Sequence, residues 1–231
     1  MMKIGYHGFG AKIGSFWVVV LLMMSLPAVA GGKAGIYGIR MVPDGKDAER
    51  FSRPGWGGGF HAVMPFPQVG NIFALTTGFE IINLLDQTLE FQEEFTGLRV
   101  EQHTNQHYLR IFLGGQVGGH GNGFIRPHAG VNLAIVNYGI STELIIPDDF
   151  NPDNEIRQDL GSENHWVLGY DITLGVDLNF NNKVALDGGV RYLKSFSVPQ
   201  QLGHEDAVRV HPQYFQIYLG IGVSFRVFNK S

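Results

Sequence analysis

From Gln213 to Phe228 the chain alternates strictly. Phe215, Ile217, Leu219, Ile221, Val223, Phe225 and Val227 take every second position, with Tyr214, Gln216, Tyr218, Gly220, Gly222, Ser224 and Arg226 between them. One face is continuously apolar; the other carries glycine, hydroxyls, an amide and one charge. A period of two is the signature of a strand. The run outlasts the roughly 5–6 residues of an ordinary strand and covers the roughly 9–11 residues that a tilted strand needs to cross a bilayer. A chain in which this pattern recurs is expected to close into a transmembrane β-barrel.

It does recur. Strands are expected at Ala34–Val42, Trp56–Phe66, Asn71–Ile82, Gln106–Val117, Phe124–Tyr138, Asn164–Phe180, Lys183–Phe196 and Gln213–Phe228. The connections alternate in length. Those at Pro43–Pro54, Leu84–Asn105, Gly139–Glu163 and Ser197–Pro212 are long, whereas Pro67–Gly70, Gly118–Gly123 and Asn181-Asn182 are tight. Eight strands joined in this way form an all-β, antiparallel, up-and-down barrel with the long loops at one end. Outer-membrane barrels have short periplasmic turns and longer extracellular loops. The weak alternation of Phe91–His103 is read as the third and fourth strands continuing above the membrane, because a ninth strand would make the count odd.

Residues 1–30 read as a secretory signal peptide. Lys3 and Lys12 precede the apolar run Phe16–Leu26, and Ala28-Val29-Ala30 is a small-x-small cleavage site. The apolar run is too short for a spanning helix, which needs about 20 residues. Residues 31–231 would then form the barrel domain. Without Lys3 and Lys12 it has 15 basic residues against 21 acidic, a net charge of −6, which argues against nucleic acid as a partner. There are no cysteines, so closure has to come from strand pairing.

Alternation alone does not say which face is inside, because a soluble lipocalin-like barrel shares the pattern. The polar face decides. On the sixth strand it is Val167, Gly169, Asp171, Thr173, Gly175, Asp177 and Asn179; on the fifth it is Arg126, His128, Gly130, Asn132 and Ala134. A solvated face would be rich in Lys and Glu. Small residues with a few charges suit the crowded interior of an eight-stranded barrel. Trp56, Phe66, Trp166 and Phe180 sit on the apolar face near strand ends, where interfacial girdles belong. The interior is therefore expected to hold His61, Glu80, Arg110, Arg126, His128, Asp171, Asp177, Asp187, Arg191 and Arg226, paired as a salt-bridge network.

The runs Pro54–Pro67, Phe124–Val136, Leu168–Phe196 and Tyr214–Phe228 together resemble the small outer-membrane proteins whose eight-stranded barrel domain is related to outer membrane proteins A and X. The resemblance spans about Ala34 to Phe228. It implies residence in the outer membrane of a Gram-negative cell envelope, contact with outer-membrane lipid and lipopolysaccharide, and recognition of the C-terminal strand by the assembly machinery. In that family a terminal aromatic is read; here Asn229, Lys230 and Ser231 follow Phe228.

No catalytic, cofactor-binding or metal-ligating set is expected. Some barrels of this size are lipid A deacylases that use a Ser-His pair, and nucleophile activation needs serine and base within hydrogen-bond reach. His128 and His165 have no such serine beside them. His103 and His107 lie four apart, but in strand or loop. Asp149-x-Asn151-x-Asp153 begins like a calcium loop, then has Asn154 where glycine is required and Leu160 where glutamate is required. The expected function is that of a non-enzymatic structural or surface-interaction protein, whose four long loops meet a host or envelope partner. The alternatives are a narrow conduit for small solutes and a lipid-modifying enzyme.

Overall fold

The computed structural model describes residues 31–66, 72–92, 99–119, 123–146, 156–180, 183–196, 198–200 and 208–225. The expected signal peptide, the turns at 67–70 and Asn181-Asn182, the calcium-loop-like segment 149–153 and the end of the last strand from Arg226 onward lie outside them.

Strands β1 (Gly32–Asp44), β2 (Gly55–Pro65), β3 (Phe73–Gln92), β4 (Arg99–Gly118), β5 (Ile125–Ile146), β6 (Ile156–Asn179) and β7 (Val184–Ser195) follow in order. Two short strands, β8 (Val198–Gln200) and β9 (Val208–Val210), precede the last, β10 (Gln213–Phe225). Eight of the ten form a closed antiparallel barrel in the order β1-β10-β7-β6-β5-β4-β3-β2, and β8 and β9 pair only with each other. Closure is made by β1 and β10, in register from Gly32↔Phe225 to Asp44↔Gln213. A closed ring leaves none of its eight strands as an edge.

The outward face is apolar. Phe215, Ile217, Leu219, Ile221, Val223 and Phe225 are exposed on β10, while Tyr214, Gln216, Tyr218, Gly220 and Gly222 between them are buried. Ile172 and Leu174 on β6 and Val131, Leu133 and Ile135 on β5 continue the belt. From Phe215 to Phe225 it is about 25 Å tall at the usual strand tilt, the height of a bilayer's apolar band. Trp56, Phe66, Trp166 and Phe180 all project outward at its margins. Apolar surface of this extent is what lipid covers, and the protein is a transmembrane β-barrel. Among the described residues no helix is long and apolar enough to cross a membrane; the strands do so.

The long connections contain further secondary structure. The first contains a short helix, α1 (Lys46–Phe51), which places Ala48 and Ser52 against the loop end of the barrel. The third is mostly strand: β3 and β4 stay paired to Gln92↔Arg99, past a register shift at Asn83/Leu85. Phe91 and His103 thus belong to strand continuations, as expected. The fifth, Gly139–Glu163, expected as a long connection, is instead strand up to Ile146 and again from Ile156, with Ile146↔Ile156 still paired. Ile140, Thr142 and Leu144 supply β-propensity there, which the acidic residues obscured. The seventh contains the β8–β9 hairpin. At the fourth, Gly118 and Gly119 have φ of 84° and 78°, a conformation open to glycine at little steric cost.

Candidate functional site

The residues brought together by the barrel line its interior, in three layers. At mid-height β3 supplies Glu80, β4 Arg110, β6 Asp171 and β7 Arg191, all inward by phase. Glu80, Arg110 and Asp171 are fully buried and Arg191 nearly so. Glu80 stands directly opposite Arg110 in the β3–β4 register and lies 2.9 Å from it. Arg110 also pairs with Asp171, and Arg191 with Glu80. Arg191 lies 3.6 Å from Asp171 as well. Two positive charges thus meet two negative ones, the compensation that buried ions require.

Neutral groups saturate the carboxylates. Tyr37 donates to Glu80 at 2.8 Å and Gln216 at 3.3 Å; Asn132 and Thr173 donate to Asp171 at 2.8 and 2.9 Å. The guanidinium of Arg110 lies 4.3 Å from the Phe112 ring centre, and that of Arg191 lies 4.9 Å from the Tyr218 ring centre. The network closes the middle of the lumen.

Toward the loops the interior turns apolar and aromatic. Ile39, Met41, Ile82, Leu84 and Val136 pack with Tyr108, Tyr138 and Tyr214 beneath Ala48 of α1. Tyr138 and Tyr214 find hydroxyl partners in Ser195 and Ser52, at 2.7 and 2.9 Å. Toward the tight turns lies a second polar cluster. Lys33 donates to Asp177 at 2.5 Å and to Asp187 at 3.0 Å. His61 Nε2 lies 3.4 Å from Asp187, and His128 Nε2 is 3.1 Å from the Tyr218 hydroxyl.

Eight of the ten expected interior residues are therefore buried in the lumen. Arg126 is on the inward phase but half-exposed at the rim, its Nε donating to the Gly123 carbonyl at 3.1 Å. Arg226 lies outside the described residues. Lys33 is the missed member. It is the third residue after the expected cleavage at Ala30 and lies one before the first expected strand, although its place in the alternation with Gly35 and Tyr37 marks it as inward. His103 is paired with Asp86 at 2.7 Å on the β3–β4 projection, away from this interior.

No protein-family model and no curated protein sequence matches the chain. Solved structures do. Neisserial surface protein A superposes with a TM-score of 0.50 at 11% identity, over 84% of this chain and 96% of that one. Ail, the attachment invasion locus protein of Yersinia pestis, gives 0.45 at 13% identity, over 85% and 99%. The outer membrane protein OprG from Pseudomonas aeruginosa gives 0.41 at 14% identity, over 87% and 98%. The fold is that of the small eight-stranded outer-membrane barrels.

Proposed function

We propose that this outer-membrane-type barrel is a non-enzymatic structural or surface-interaction protein, in which the closed cylinder anchors polar projections in the membrane. The observation that carries this reading is the closed lumen. A cross-lumen ion network at mid-height and an aromatic layer above it fill the interior among the described residues, and eight strands enclose little more than their own side chains. What such a barrel offers to its surroundings is its loop end. Beyond Tyr138↔His165, β5 and β6 stay paired to Ile146↔Ile156, roughly 25 Å of further strand. Loops and extensions on a rigid scaffold are where binding function tends to sit.

In this reading the chain is exported by cleavage after Ala30, and residues 31–231 insert in the outer membrane. They meet lipid and lipopolysaccharide there, the assembly machinery engages the C-terminal strand, and the projections meet a host or envelope partner. Single-channel recording of the refolded barrel in planar bilayers tests it. The expected trace is silent at all voltages, whereas discrete conductance steps would favour the conduit reading. Unaltered lipid A on overexpression is expected too, and a modified lipid A would favour the enzyme.

A further inference from the structure

The polar cluster at the turn end differs from the one above it. At mid-height two arginines answer two carboxylates. Here Asp177 and Asp187 are placed directly opposite each other by the β6–β7 register, both inward and both buried. Like charges directly opposite on one face of a sheet repel. Lys33 bridges them with a single positive charge.

Around the pair, several buried polar atoms have no hydrogen-bond partner among the described residues: His61 Nε2, His128 Nδ1, Gln116 Nε2 and Asp187 Oδ1. His61, His128 and Asp187 are each more than nine-tenths buried, where an unsatisfied polar group costs free energy. Together with Gln116 they line one cavity of about 30 Å³, room for an ion with roughly one water. Donor atoms of His128, Asp177 and Asp187 lie within 4.8 Å of one another. His128 Nε2 is 3.8 Å from Asp187 Oδ1, and His61 Nε2 is 3.4 Å from Asp187 Oδ2. Ligands at 2.0–2.2 Å in a tetrahedron stand about 3.3–3.5 Å apart, so His128, Asp177 and Asp187 have to close up by about an ångström, and His61, which stands outside that group of three, has to turn farther to join them.

We propose that this chamber is a divalent transition-metal site, with His61, His128 and Asp187 as ligands, Asp177 as the fourth, and Lys33 as the ammonium that the ion displaces. Two imidazoles and two carboxylates select zinc, cobalt or nickel over magnesium and calcium, which prefer all-oxygen sets. An ion of charge two neutralises the two carboxylates, which Lys33 alone does not. Lys33 lies at the start of β1, and displacement of its ammonium frees both carboxylates. The ion would tie β2, β5, β6 and β7 together, a link across the lumen made after the strands have closed.

The test is a titration of the full mature barrel, purified without a histidine tag and refolded in detergent, with Co²⁺ followed by visible absorption and then Zn²⁺ as competitor. The expected result is one equivalent of Co²⁺ giving a four-coordinate band that Zn²⁺ removes and Mg²⁺ does not. His61→Gln and His128→Gln should each weaken binding at least about tenfold, and Lys33→Met should tighten it by a similar factor, magnitudes usual for changes at a metal's ligands and their neighbours. No band in the wild-type barrel overturns the proposal, as does a band unchanged in both histidine variants. If those variants lack the cold-SDS mobility of a folded barrel, Lys33→Met decides: an affinity equal to or below wild type overturns it.

Discussion

Arg191 pairs with Glu80 across the full width of the barrel. Arg191 is on β7 and Glu80 on β3, four strands apart in either direction around the ring. Nothing in local sequence joins them; the closed ring alone brings them together. Glu80→Gln removes the charge on which Arg110 and Arg191 converge and leaves two buried guanidiniums to one carboxylate, Asp171. Breaking a buried ion pair on one side costs about 3–5 kcal/mol. Urea unfolding in lipid vesicles should show that loss. A change below about 1 kcal/mol would mean that the network is not what holds the middle of the barrel.

The outer belt gives a second prediction. Leu219 is 60% exposed near the middle of β10, with Ile217 and Ile221 beside it on the same face. Leu219→Arg should cost about 2–4 kcal/mol when the barrel folds into a bilayer, as charges at the midplane do. The same substitution on a water-facing surface would be nearly neutral, so folding yield into vesicles separates the two.

A third concerns space. Gly175 and Gly189 are strand partners, and both face the Tyr218 hydroxyl. A Cβ at Gly175 would stand 2.5 Å from that hydroxyl and from His128 Nε2, and one at Gly189 would stand 2.8 Å from the hydroxyl. Gly175→Ala should therefore destabilise by about 1–3 kcal/mol through overpacking. Gly38→Ala, whose Cβ would meet nothing nearer than 4.0 Å, is the matched control and should leave the unfolding midpoint close to wild type.

The β5–β6 projection gives a fourth. Replacing the chain between Thr142 and Gly161, partners beyond the aromatic belt, with a short glycine-containing turn removes no residue of the lumen network. Heat-modifiable migration on a gel should survive, whereas partner capture by whole cells, if the proposed surface role rests on this projection, should fall to background. Loss of the gel shift would show that the projection is needed for assembly.

The barrel was readable in the sequence because it rests on a period of two. Phe215 to Phe225 and Trp166 to Phe180 show which residues share a face without any distant partner, and the small residues and charges on the other face mark it as inward. The projections were harder to read. Gly139–Glu163 carries charges throughout, so a strand with two wet faces looked like a loop. The lumen network was legible as a set of inward charges, but not as pairs: Arg191 with Glu80 and Lys33 with Asp177 depend on which strands meet across the ring. The grouping of His128 with Asp177 and Asp187 was hidden for the same reason. Its members come from three strands, and a search by local spacing turns instead to His103 and His107, which lie on the β3–β4 projection.

Closure by β1 and β10 has a consequence for biogenesis. The pairing that removes the last two free edges joins Gly32 to Phe225 and Lys33 to Ser224, the partners farthest apart along the chain in the ring. Contacts of such separation form late and slowly. Until then a nascent sheet presents two unsatisfied margins and a lipid-facing surface to whatever surrounds it. The seam is therefore the natural checkpoint of assembly: every other hairpin can form from neighbours, but a cylinder exists only when its first strand is still waiting for its last.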